Sequence, residues 1–148
     1  MKKQAYTVIA MIVLVGSMAL AARAQTSGRT QLIANIPFQF SVGNKTLPAG
    51  EYMVLSVNTD ASNVVLKVQS RDGKAGAMLQ MGSVEGKAED RAKLVFHRYG
   101  NHYYFAQAWT GEGGSGLEAQ KSRAERALEH ELAGIKMATE SVALSARR

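Results

Sequence analysis

Residues Ala34 to Asn58 read ANIPFQFSVGNKTLPAGEYMVLSVN, and the spacing of their apolar side chains decides the class of fold. Counting from just upstream, Leu32, Ala34, Ile36, Phe38, Phe40 and Val42 fall at alternate positions, with Asn35, Pro37, Gln39 and Ser41 between them. Successive side chains leave opposite sides of an extended chain, so this alternation predicts a strand with one dry face and one wet face. Pro37 has no N–H to give a ladder, which places the strand at a sheet edge there or gives it a bulge. Asn44-Lys45-Thr46-Leu47-Pro48-Ala49-Gly50 supplies the turn, with φ fixed at Pro48 and free to be positive at Gly50. Tyr52 to Val57 is predicted to run back.

Further along, Val64, Leu66 and Val68 alternate against Lys67 and Gln69. The Asp-Gly of Arg71-Asp72-Gly73-Lys74 is a hairpin signal, and Ala77, Leu79 and Met81 continue the alternation beyond it. Gly82 to Ala92 is polar without periodicity and predicts an exposed loop. Lys93 to Tyr99 and His102 to Trp109 flank Gly100-Asn101, the composition of a two-residue hairpin turn. In that register Phe96 opposes Phe105 and Arg98 opposes Tyr103 on one side, while His97 opposes Tyr104 and Tyr99 opposes His102 on the other. Phe96 and Phe105 are predicted to pack face to face on the core side.

Six short strands joined by short turns predict a mainly β fold, a six-stranded antiparallel meander closing toward a small barrel or sandwich. One C-terminal amphipathic helix follows. Ser122-Arg123-Ala124-Glu125 has capping-box spacing, and Ala124, Leu128, Leu132 and Ile135 form a narrow apolar stripe. Such a helix is expected to be held less firmly than the sheet. Met137 to Arg148 has too few large apolar residues to hold itself in place.

The N-terminus has the three parts of a secretory signal peptide: basic Met1-Lys2-Lys3, an apolar run from Ala5 to Leu20, and Ala22-Arg23-Ala24 before a cut at Gln25. The predicted organisation is therefore a signal peptide at 1–24, a β domain at 25–110, a Gly-rich linker at 111–116, and a C-terminal helix and tail at 117–148. The expected location is outside the inner membrane, in the periplasm or the medium, with no membrane span after cleavage. Loss of Lys2, Lys3 and Arg23 halves the formal net charge of +6. The remaining excess is spread along the chain, which argues against nucleic acid, since phosphate binding wants clustered Lys and Arg. The chain has no cysteine, so stability after export must come from packing without disulfides.

No catalytic, cofactor or metal pattern stands out. Gly111-Glu112-Gly113-Gly114-Ser115-Gly116 matches G-x-G-x-x-G, but a dinucleotide site needs a helix and then a parallel strand ending in an acidic residue, and no such strand is predicted downstream. His97 and His102 share a face as a diagonal pair about 7–8 Å apart, without a third ligand nearby. Met53, Met78 and Met81 sit among apolar strand residues and read as core fillers. The candidate binding surface is therefore His97, Tyr99, His102 and Tyr104, an aromatic and hydrogen-bonding set suited to an envelope protein, a glycan or a second copy of the chain. The competing reading puts these residues under the C-terminal helix as a second small core. If their face is solvated, His97→Ala should cost about 1 kcal/mol or less.

Through Ile36-Pro37-Phe38-Gln39-Phe40, Leu47-Pro48-Ala49-Gly50-Glu51-Tyr52, Leu94-Val95-Phe96-His97-Arg98-Tyr99-Gly100 and Lys121-Ser122-Arg123-Ala124-Glu125-Arg126, the chain resembles a group of small exported bacterial proteins. The likeness spans about residues 31–132 and implies no activity, cofactor or active-site residue. The LPAGEY turn alone is similar to those of transthyretin-like and other extracellular β modules, which implies a β fold. The expected function is that of a secreted, non-enzymatic module of the cell envelope that binds a partner or assembles. The alternatives are a small barrel that carries an apolar ligand, which needs a cavity of roughly 300 Å³ or more, and an envelope hydrolase.

Overall fold

The alternation from Leu32 to Val42 buries its even positions: Leu32, Ala34, Ile36, Phe40 and Val42 are all buried, and Phe38 is half-buried against them. A computed structural model of the chain describes residues 31–58, 63–87, 91–111, 113–135 and 138–148. The predicted signal peptide lies outside these residues. Pro37 divides the stretch that the sequence predicts as one strand. β1 (Gln31–Ile36) ends before the proline, and β2 (Phe40–Val42) resumes after it. The first reversal also comes earlier than predicted. Gly43, at φ 60, makes a two-residue turn with Asn44 into β3 (Lys45–Leu47), and only then does β4 (Gly50–Ser56) return antiparallel to β1. The Tyr52 hydroxyl donates to the Pro48 carbonyl at 2.7 Å, pinning the LPAGEY turn to the strand it opens.

β5 (Val64–Ser70) and β6 (Gly76–Glu85) form the Asp-Gly hairpin as predicted. β6 runs beyond Met81 to Glu85, through residues predicted as loop, because β9 (Ser115–Ala119) pairs with that end. β7 (Lys93–Tyr99) and β8 (His102–Trp109) form the last hairpin, α1 (Arg123–Ala133) follows β9, and β10 (Glu140–Ser145) ends the order of elements.

Two boundaries are thereby corrected. The glycine-rich segment 111–116 is no linker, since Ser115 and Gly116 belong to β9. Gly116 is required by close approach rather than by flexibility: a Cβ there would lie 2.7 Å from the Trp109 ring. The expected loose tail contains β10, which pairs with β7 from Glu140↔Arg98 to Ser145↔Lys93. Val142 and Leu144 are half-buried on it, enough when a formed strand already offers its backbone.

Among the described residues the strands number ten where the sequence predicts six, and they make one large sheet in the order β1-β4-β5-β6-β9-β8-β2-β3, with β7 on β8 and β10 on β7. It is mixed, since β2 meets β8 in parallel at Ser41↔Tyr104. Between β1 and the end of the chain there is one bridge, with Ile33 N donating to Arg147 O at 2.7 Å and Arg147 N to Ile33 O at 2.9 Å, rather than a continuous ladder. The core centres on aromatic edges, with Phe96 in T-shaped contact with Phe38, Phe40 and Phe105 at 5.3, 5.4 and 5.7 Å between centroids. Phe96 and Phe105 thus share the core side as predicted, but edge to face rather than face to face, the arrangement that ring quadrupoles favour.

Candidate functional site

Gly100, at φ 60, gives β7 and β8 their two-residue turn, and the turn fixes the register. Phe96↔Phe105, His97↔Tyr104, Arg98↔Tyr103 and Tyr99↔His102 pair as predicted, up to an irregularity between Val95 and Phe96 that shifts the remainder by one residue. His97, Tyr99 and Tyr104 therefore leave the sheet on the side away from Phe96, and α1 covers them. Tyr99 is 2% exposed and Tyr104 is 9% exposed. His102, at the turn opposite Tyr99, is exposed. The predicted open surface is thus corrected to a second small core beneath the helix, the competing reading of the same residues.

At its centre is a residue outside the predicted set. Glu125 is the one charged residue buried among the described residues, 4% exposed. Its Oε1 lies 2.8 Å from His97 Nδ1 and accepts from the Tyr99 hydroxyl at 3.2 Å. A carboxylate only accepts, so the fitting imidazole tautomer carries hydrogen on Nδ1. Ser122 caps α1 as its spacing predicts, its Oγ accepting from Glu125 N at 3.1 Å. The capping box is only half made, because the Glu125 side chain reaches the sheet instead of turning back to the cap. A carboxylate in the first helical turn also gains from the helix dipole. Burial, and then the charge of Glu125, raise the pKa of both Tyr99 and Tyr104. Lys121 is raised chiefly by its 2.6 Å bond to Glu129. His97 and Tyr99 both reach Glu125, so this cluster fastens the helix to β7.

The glycines of the G-x-G-x-x-G match lead into β9, not into a helix. Among the described residues no three His, Asp or Glu side chains converge as a metal site, and no helix is long and apolar enough to cross a membrane.

A cleft of about 500 Å³ lined by core side chains lies at the end of the sheet where β4, β8 and β6 terminate. Leu32, Val54, Leu66 and Ala108 wall it from the buried side, and Val64 and Leu117 from the half-buried side. Ser56 and Asn58 at its rim are engaged locally: Ser56 Oγ donates to Asn58 O at 2.6 Å, and Asn58 Oδ1 accepts from Val65 N at 2.7 Å. Glu85 and Thr110 complete the rim. Neither this cleft nor Glu125 was nominated by the sequence. The interior apolar positions were legible, but not the gap left between them.

Comparison with family models, curated proteins and solved structures finds no match for the chain.

Proposed function

We propose that the chain is an exported, non-enzymatic β module of the cell envelope that holds a small apolar ligand in the cleft bounded by Leu32, Val54, Leu66, Ala108 and Leu117. The observation that carries this reading is the cleft itself. At about 500 Å³ it exceeds what a small ligand needs. Its buried wall is apolar, and Ser56 and Asn58 at its rim are engaged locally, so burial of apolar surface would be the main hold on a ligand. Export is supported by the basic, apolar and Ala-x-Ala segments at the N-terminus. The bridge from Ile33 to Arg147 supports reading the sheet as curling toward a small barrel, with the cleft at one mouth. An aromatic surface for an envelope protein, a glycan or self-association has less support, since three of its four residues lie under α1.

The chain carries its own reporter, because Gly116 both lines the cleft and touches Trp109, the single tryptophan. An apolar naphthalene dye bound in the cleft should take energy from Trp109, and Leu117→Trp, which fills the half-buried wall, should prevent binding. A dye that shows no transfer, or binds equally well to the filled variant, would refute the reading.

A further inference from the structure

β6 is paired on both sides only at Met81. The β5 ladder runs from Met81 to Gly76, whereas β9 covers Met81 to Glu85 and stops. Two hydrogen bonds fix which backbone groups face which way. Ser70 N donates to Ala75 O at 2.8 Å, so odd positions along β6 exchange bonds with β5. Gly86 N donates to Gly114 O at 2.8 Å, so even positions turn to the β9 side. Gly76, Met78 and Gln80 therefore direct N–H and C=O toward an edge with which, among the described residues, no strand pairs.

That edge borders a groove of about 750 Å³. Its apolar floor includes Val42, Ala77 and Leu79, and Met78, 62% exposed, stands beside it. Lys45 and Lys67 line the groove and no carboxylate does. Neither lysine has an ion-pair partner among the described residues. An open edge is a template for another strand, and lysines on it select against apolar and basic ones.

We propose that the Gly76–Gln80 edge accepts an extended acidic segment of a partner protein as an added strand, lying in the groove between β6 and the β2–β3 turn. Backbone bonds to Gly76, Met78 and Gln80 supply the attachment, apolar side chains of the segment rest on Val42 and Leu79, and its carboxylates meet Lys45 and Lys67. A second copy of β6 is a poorer occupant, since it would bring lysine toward lysine.

The test uses the chain from Gln25 and an acetylated hexapeptide of alternating Glu and Val, followed by amide NMR. Binding should shift and protect the amides of Gly76, Met78 and Gln80. Reversing both charges, Lys45→Glu with Lys67→Glu, should weaken it at least roughly tenfold. Met78→Pro should abolish it with the circular dichroism unchanged, because the Met78 N–H points away from β5 and an edge tolerates proline. Should that variant fail to fold, the same peptide N-methylated at alternate residues asks the question from the other side, and should not bind. Equal binding of a Lys/Val peptide, undiminished binding of the N-methylated one, no shift at the three amides, or a β6-mediated dimer in sedimentation without peptide would overturn the proposal.

Discussion

Replacing His97 by alanine tests whether Glu125 fastens α1 to the sheet. The Glu125 side chain is 5% exposed and its Oε1 holds two donors, the imidazole at 2.8 Å and the longer Tyr99 bond at 3.2 Å. Without the imidazole the carboxylate stays buried with the weaker bond alone. Leaving a buried acceptor short of a partner costs on the order of 1–3 kcal/mol, more than the 1 kcal/mol or less expected for a solvated histidine.

The penalty has a ceiling. Apart from Glu125, α1 docks through half-buried Leu128 and Leu132, while Ile135 is 67% exposed. Once the strain on Glu125 exceeds what that contact supplies, the helix lifts and water solvates the carboxylate. Urea melts should therefore show a loss of about 1–2 kcal/mol for the sheet, while hydrogen exchange of the amides from Arg126 to Leu132 approaches that of a free helix. Tyr99→Phe, which leaves the 2.8 Å bond from His97 to Glu125 in place, should do less of both. Unchanged helix protection in His97→Ala, or equal loss in helix and sheet, would refute the reasoning, since either result would mean that α1 does not depend on this bond.

Phe96→Ala should cost about 3–5 kcal/mol in urea melts, because it empties a site ringed by three aromatic edges; a cost below that of His97→Ala would mean the two faces are assigned the wrong way round. Gly116→Ala forces a Cβ to within 2.7 Å of the indole. It should destabilise by about 1–3 kcal/mol and shift Trp109 emission, and an unshifted spectrum would count against that contact. Burial raises the Tyr52, Tyr99 and Tyr104 pKa values, with nearby Asp72 or Glu125 adding to it, so the fold favours their protonated forms. The stability they contribute is present below their unfolded value of about 10 and is lost as pH rises through the folded values. Tyr99→Phe should flatten that alkaline decline, and a decline of unchanged slope would exclude Tyr99 as a source.

Most of the sheet was legible because most of its pairing is local. A hairpin needs only two alternating stretches and a turn, and the Asp-Gly and Gly100-Asn101 turns declare themselves. The first turn was misplaced because Pro48 and Gly50 mark a stronger punctuation than Gly43-Asn44, although Gly43 has the same φ of 60 as Gly100. β9 and β10 escaped for a different reason. Ser115–Ala119 offers one large apolar side chain, Leu117, and Glu140–Ser145 offers two. Neither segment specifies itself, and each becomes a strand only because β6, β8 or β7 already presents an edge. Glu125 was legible as a capping residue, but its tertiary partner lies 28 positions away on another element, and no local rule reaches that far.

The clasp and the open edge have one origin. β9 leaves the sheet after Ala119, three residues before Ser122 caps α1. Had the strand continued, residues from Gln120 onward would have paired with Gln80, Met78 and Gly76 in the same register. Instead the capping motif turns the chain out of the sheet, and the buried Glu125 anchors the new helix over β7 at His97 and Tyr99. The helix therefore gains its attachment by the same change of direction that leaves half of β6 paired on one side only. Lys45 and Lys67 are what the chain places beside the backbone groups that remain, a choice that blunts pairing with its own kind while keeping the edge open to a strand of opposite charge.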